Sequence, residues 1–185
     1  VRDLNFKRFA HKFPYPVTGH GVFHGQVGGT ISYPIFRGDL KADEVTMNGV
    51  TLTKAHSLVY YENGIVTLDR TGFHQGEKGK VSARLHYDTQ SDVLRGTMDV
   101  ENFDVGALLA LGNQKEDRVG GAMTSHIWVG GTRDNPSLGV TGEIAAGTVA
   151  GYPVTDAALD VSFSNHVLTI DRFTGKQGDG AFSAS

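Results

Sequence analysis

The chain has no cysteine and only five prolines in 185 residues. Without cysteine there is no disulfide framework, no thiol nucleophile and no thiolate metal site. That absence leaves the compartment open, although it suits a secreted or periplasmic chain. No apolar run reaches the roughly eighteen residues of a membrane-spanning helix, and no charged-then-apolar leader opens the sequence. Basic surface is scarce too: 17 Lys and Arg against 20 Asp and Glu give a net charge of −3. The cations are scattered, not striped, which argues against a nucleic-acid face. Glycine is plentiful: 25 residues is about twice the usual share of about 7%, and it carries no collagen period. Frequent turns and bends follow.

The most informative feature present is an internal repeat. Asn63 to Arg70 reads Asn-Gly-Ile-Val-Thr-Leu-Asp-Arg, and Asn165 to Arg172 reads Asn-His-Val-Leu-Thr-Ile-Asp-Arg, an interval of 102 residues. Gly29-Thr30 with Gly131-Thr132, Pro34 with Pro136 and Gly76 with Gly178 keep the same interval. Between Pro34 and Asn63 the match of Val45 and Val50 to Val149 and Val154 suggests a compensated slip to an interval of 104. Self-similarity at fixed period means stacked units that bury a core by touching their neighbours. Residues 1–185 therefore read as one continuous array, with a first unit over 1–99 and a truncated second over 100–185. Both ends read as cuts through a longer array.

Alternation of period two dominates within each unit. Ala157, Leu159, Val161 and Phe163 oppose Asp156, Asp160, Ser162 and Ser164; Val81, Ala83, Leu85 and Tyr87 oppose Ser82, Arg84, His86 and Asp88. Such patterns place two sets of side chains on opposite faces of a strand. Asn48-Gly49, Asn63-Gly64 and Gly151-Tyr152-Pro153 mark turns between them. The expectation is an all-β antiparallel meander with strands of about five to nine residues. One segment departs from it. In Asn102–Gly112, Asp104 reads as an N-cap, Val105, Leu108, Leu109 and Leu111 fall at helical spacing, and Gly112 reads as a stop. A short helix is expected there, with Asn5 to Ala10 as a weaker counterpart in the first unit, each plugging one edge of the sheet.

Candidate chemistry is thin. His20 and His24 share a strand face about 13 Å apart, too far for one ion, and no histidine pair has a carboxylate at metal-site spacing. Asp69 and Asp171 are each followed by Arg at equivalent repeat positions, which suits a structural ion pair or strand-end feature better than catalysis. Gly28-Gly29-Thr30 and Gly130-Gly131-Thr132 lack the Lys and the helix of a phosphate loop, and read as bends. No catalytic residue, metal or cofactor is assigned, and no enzymatic activity is expected. What remains is the apolar rows: Val66 and Leu68; Val81, Ala83 and Leu85; Ile127 and Val129; Leu159, Val161 and Phe163; Leu168 and Ile170. They suit either a closed core that pairs two sheet faces or an open groove for an apolar ligand.

The order of these elements resembles a known family. The helical Phe103–Leu109, the stretch from Gly120 to Leu138, Ala146 to Val154, Ala158 to Phe173 and the turn-strand Gly178 to Ala184 together resemble the TamB family of the AsmA-like superfamily, with both units included. That resemblance implies a curved, U-shaped, taco-like sheet, open like a β-solenoid, with an apolar concave groove. It also implies an envelope-spanning protein of the periplasm, anchored in the inner membrane by a segment outside this chain. Its cargo would be phospholipid acyl chains moving between inner and outer membranes, with a TamA-type outer-membrane barrel as partner in barrel-protein insertion. Each acyl CH₂ buried is worth about 0.8 kcal/mol, so a ten-carbon stretch gains about 8 kcal/mol. The competing expectations are a structural or adhesive array with a closed core, and a chaperone groove for outer-membrane β strands. Open edge strands also suggest an edge-to-edge homodimer.

Overall fold

Turn residues with positive φ, among them Asn48-Gly49, Asn63-Gly64 and Ala150-Gly151, separate the strands of this chain. A computed structural model describes residues 2–7, 16–111, 118–132 and 134–185. Its strands are β1 (Arg2–Asn5), β2 (Val17–Gly29), β3 (Pro34–Met47), β4 (Val50–Glu62), β5 (Ile65–Gln75), β6 (Gly79–Asp88) and β7 (Val93–Asp104). A helix α1 (Val105–Leu111) follows, then β8 (Gly120–Gly131), β9 (Pro136–Val149), β10 (Tyr152–Ser164), β11 (Val167–Gln177) and β12 (Gly180–Ala184). All twelve belong to one antiparallel sheet whose spatial order is the order of the sequence. The all-β meander expected from alternation is therefore the fold.

Two details differ from expectation. Strands β2 to β11 run from 10 to 14 residues, not five to nine. Bulges conceal part of that length in β4, β5, β7 and β10. Lys54 (φ 52°), Arg70 (47°), Asn102 (47°) and Asp156 (50°) each sit where the ladder slips. One extra residue shifts the alternation by one position, so a continuous strand reads as two short ones. Each face is nonetheless preserved across the bulge: Leu68 is followed on its face by Thr71 and Phe73, and Val100 by Phe103.

The second difference concerns the slip. In the structure the interval stays at 102 throughout: β3, β4 and β5 begin and end 102 residues before β9, β10 and β11. The positive-φ positions keep it as well, Gly29 with Gly131, Asn48 with Ala150, Lys54 with Asp156 and Gly76 with Gly178. Val50 therefore corresponds to Tyr152, and Leu52 to Val154. Matching valine to valine conceals this because Ala150 (φ 53°) takes the left-handed turn position held by Asn48 (φ 48°). The Gly-Gly-Thr element is a turn at the strand end, not a bend within the sheet. Gly29 (φ 78°) and Gly131 (φ 86°) leave no room for a Cβ beneath the Tyr33 and Asn135 carbonyls, which only glycine tolerates. Thr30 Oγ1 accepts from Tyr33 N at 3.2 Å, and Thr132 Oγ1 from Asn135 N at 3.1 Å.

The core lies along one rim of one face. Leu52, Val81, Val100, Phe103 and Ile127 form one buried cluster, and Val105, Met123, Ile144, Val154 and Ala157 a second. No second sheet covers them among the described residues. Helix α1 does, and Leu108 packs against both clusters. Its N-terminus is capped as expected, Ala107 N donating to Asp104 Oδ1 at 2.8 Å. At its other end Asn48 Nδ2 donates to Ala110 O at 2.7 Å, satisfying a carbonyl that the helix leaves open. That bond ties the helix to the β3–β4 turn, three strands away from β7. Phe103 is 0% exposed and Val81 and Val100 are 1% exposed, so the single layer curves toward this face and α1 fills the curve. In the first unit Phe6, in a short 3₁₀ turn with Lys7, packs on Val17, Ala42 and Val45. The rest of the expected counterpart helix, and Gly112, lie outside the described residues.

Candidate functional site

Cross-strand register decides which side chains share a surface. Val66 pairs with Tyr87 and Leu68 with Leu85; Ala83 pairs with Met98 and Val81 with Val100. Met98 pairs with Ile127 and Gly96 with Val129, which in turn face Val140 and Leu138. Val140 and Leu138 face Val161 and Phe163, and these face Ile170 and Leu168; Leu159 lies one step further along β10, opposite Gly142. Directly opposed residues project to the same side. All twelve apolar residues singled out by alternation therefore lie on one face. Tyr61, Tyr87, Leu94, Leu138 and Val140 complete its rows. Alternation missed Leu94 because its neighbour on this face is Gly96, and only the pairing register recovers it.

This face has two halves. Toward the α1 rim, Val81 and Ile127 are buried within the core cluster, so these two proposed groove residues form floor, not accessible surface. Toward the opposite rim, nothing among the described residues lies over the sheet. There Val66, Leu68, Leu85, Val129, Val161 and Phe163 are half-buried, while Phe36 is 40%, Leu138 38%, Ile170 44% and Leu168 63% exposed. From β5 to β11 the uncovered lane crosses six interstrand spacings, about 29 Å at about 4.8 Å each. A continuous apolar surface of this extent is unusual for a soluble monomer.

The other face is mostly polar and paired across strands, with Tyr60, Ile65 and Trp128 standing singly among the polar residues. Arg84 Nε donates to Asp69 Oδ1 at 2.7 Å, and His126 Nδ1 lies 2.7 Å from Asp99 Oδ1. Lys176 Nζ donates to Asp156 Oδ2 at 2.8 Å. The hydrogen bond from Arg84 holds the Asp69 carboxyl below its ordinary range, and Asp156 pushes the Lys176 ammonium up. These groups are solvent-exposed, so the pairs set register more than stability. The Asp69 half of the duplicated Asp-Arg motif is thus a cross-strand ion pair to Arg84, while Arg70 occupies a bulge. A depression of about 410 Å³ on this side is lined by His56, Asp69, Arg70, Ser82, Arg84 and Asp99. Of its two carboxylates, Asp69 accepts from Arg84 and Asp99 lies against His126, while His56 Nδ1 lies 3.1 Å from the Lys54 carbonyl. His20 and His24 stand opposite Glu44 and Asp39 on β3. No group of three or more metal-ligating side chains is found among the described residues. His166 sits in the β10–β11 turn with φ 62°. No helix among the described residues is long and apolar enough to cross a membrane.

Fold and face together define a class: a single-layer, curved, antiparallel repeat sheet with one polar and one apolar side, the latter sealed at one rim and uncovered at the other. Comparison of the chain with family models, curated proteins and solved structures finds no match.

Proposed function

We propose that the uncovered half of the apolar face shields lipid acyl chains, and that the chain is a non-enzymatic segment of a periplasmic lipid conduit of the TamB type. The observation that carries this reading is the lane itself, which crosses at least seven strands without a polar row. A lane of about 29 Å exceeds the roughly 15 Å hydrocarbon depth of one leaflet, so an extended acyl chain fits lying across the strands. Repetition without a single tight pocket favours sliding over capture. Phospholipid transport between inner and outer membranes, anchorage in the inner membrane and a TamA-type barrel partner belong to the same proposal, and rest on the resemblance of the elements to that family. A chaperone groove for outer-membrane strands would use the same surface. A closed-core adhesive array would need a second layer over the apolar face, and among the described residues there is none.

The test is native mass spectrometry of the purified chain, with lipid extraction from the same sample. Co-purifying phospholipid that is lost in Val161→Glu, with an unchanged far-UV circular dichroism spectrum, supports the conduit. A folded chain that carries no lipid and takes up none from phospholipid vesicles refutes it. Binding of unfolded outer-membrane protein without lipid would favour the chaperone reading instead.

A further inference from the structure

The polar face carries one feature that its ion pairs do not explain. Trp128, the single tryptophan of the chain, stands on β8 in the middle of the sheet and is 42% exposed. Its indole lies down over the neighbouring strand. A Cβ added to its cross-strand partner Gly139 would fall inside the ring, against Nε1 and Cε2, and Gly139 is buried beneath it. The surroundings are low. Thr97 pairs with Trp128 on one side, Ser162 pairs with Gly139 on the other, and Gly130 follows on the same face of β8. A lone exposed aromatic is ordinary, but here ring and glycine go together. At the repeat interval of 102, Trp128 and Gly139 correspond to Gln26 and Arg37, which also pair across strands. Where the indole is present, the side chain beneath it is gone.

We propose that Trp128 is the platform of a carbohydrate site that takes neutral, β-1,4-linked hexose chains of gluco configuration. Three observations select that chemistry. First, with one side of the ring on Gly139, the other side faces solvent, and the face of an aromatic ring is its negative part. A pyranose whose substituents are all equatorial offers a flat surface of axial, slightly positive C–H groups to match it. Second, the groups around the ring suit sugar hydroxyls. Thr97, Thr141 and Ser162 are hydroxyls, and Asp99 and Asp160 are acceptors on the strands to either side. Third, the charges nearby come with opposite partners: His126 lies 2.7 Å from Asp99, Arg84 donates to Asp69, Arg172 stands opposite Asp160 and Arg95 shares a depression with Asp88. A phosphodiester strand finds no run of free cations among these described residues, whereas a neutral sugar needs none. The site lies on the face opposite the lane, so it stands whether or not the lane carries lipid.

Because Trp128 is the only tryptophan, tryptophan emission reads this site alone. Titration of the intact chain with chitotetraose, the β-1,4-linked tetramer of N-acetylglucosamine, should give a saturable blue shift. The β-1,4-linked galactose tetramer, whose oxygen at carbon 4 is axial, should bind more weakly. By isothermal titration calorimetry, Trp128→Ala should weaken chitotetraose binding about fivefold or more, the scale of one lost aromatic stacking contact, and Trp128→Phe should retain part of it. Gly139→Ala keeps the tryptophan but puts a methyl where the ring lies, so emission should shift and affinity should fall while the far-UV circular dichroism spectrum is unchanged. An emission spectrum unmoved by millimolar chitotetraose overturns the proposal. So does binding indifferent to Trp128→Ala, or equal binding of the two tetramers. A stronger response to oligothymidylate than to chitotetraose would overturn it in favour of single-stranded nucleic acid.

Discussion

A carboxylate introduced at two positions of the same apolar face should have opposite consequences. Val81 is 1% exposed beneath the α1 rim, whereas Val161 is half-buried in the uncovered lane. In Val81→Glu the charge has no partner and no route to water, and an uncompensated buried charge costs about 3–5 kcal/mol. For 185 residues the unfolding entropy is about 0.4 kcal/mol per kelvin, so 4 kcal/mol lowers the midpoint by about 10 °C. In Val161→Glu the carboxylate reaches solvent, leaving only the lower strand preference of Glu, about 1 kcal/mol, or about 2–3 °C. Thermal denaturation followed by circular dichroism measures both. Equal shifts would refute the division of the face into a sealed and an uncovered half. A collapse in Val161→Glu alone would show that the lane is core, and the lipid proposal would fall with it.

Gly131→Ala should destabilise the chain by about 1–3 kcal/mol, since φ is 86° and the new methyl meets the Asn135 carbonyl; urea midpoints compare it with Gly28→Ala, where the added methyl meets open space. Asn48→Gly keeps the left-handed turn but removes the bond to Ala110 O, so amide exchange across α1 should accelerate while β10 and β11 stay protected. Asp69 should titrate below its ordinary value of 3.8 because Arg84 donates to it, and Arg84→Ala should raise it, as followed by carboxyl NMR. Its folded value is the lower one, so its contribution to stability is present above the unfolded pKa and is lost as pH falls through the folded value.

How far the sequence reached follows from local physics. Val81 to Tyr87 and Ala157 to Phe163 announce a two-faced strand because polar and apolar residues alternate without interruption. Asp104 announces the helix because its carboxylate is placed to cap it. Bulges were illegible: Lys54 and Asp156 adopt left-handed backbone without being Gly or Asn, and each breaks the alternation in mid-strand. Ala150 and His166 hide their turns for the same reason, and the apparent slip of two residues came from Ala150. The sealing of one rim was half legible. The apolar spacing of Val105 to Leu111 marks a helix, but that it would cover Val81 and Ile127 depends on register four strands wide and on the bond from Asn48, which no local pattern encodes.

The number of strands in one repeat has a geometric consequence. Six strands advance the chain 102 residues, and six is even. A meander that crosses an even number of times returns to the rim it left, so every added unit would set its helical segment down on the same side. An array lengthened by whole units would keep one sealed rim and one uninterrupted lane, whatever its length. A unit of five or seven strands would place successive helices on alternate rims and interrupt the lane from both sides.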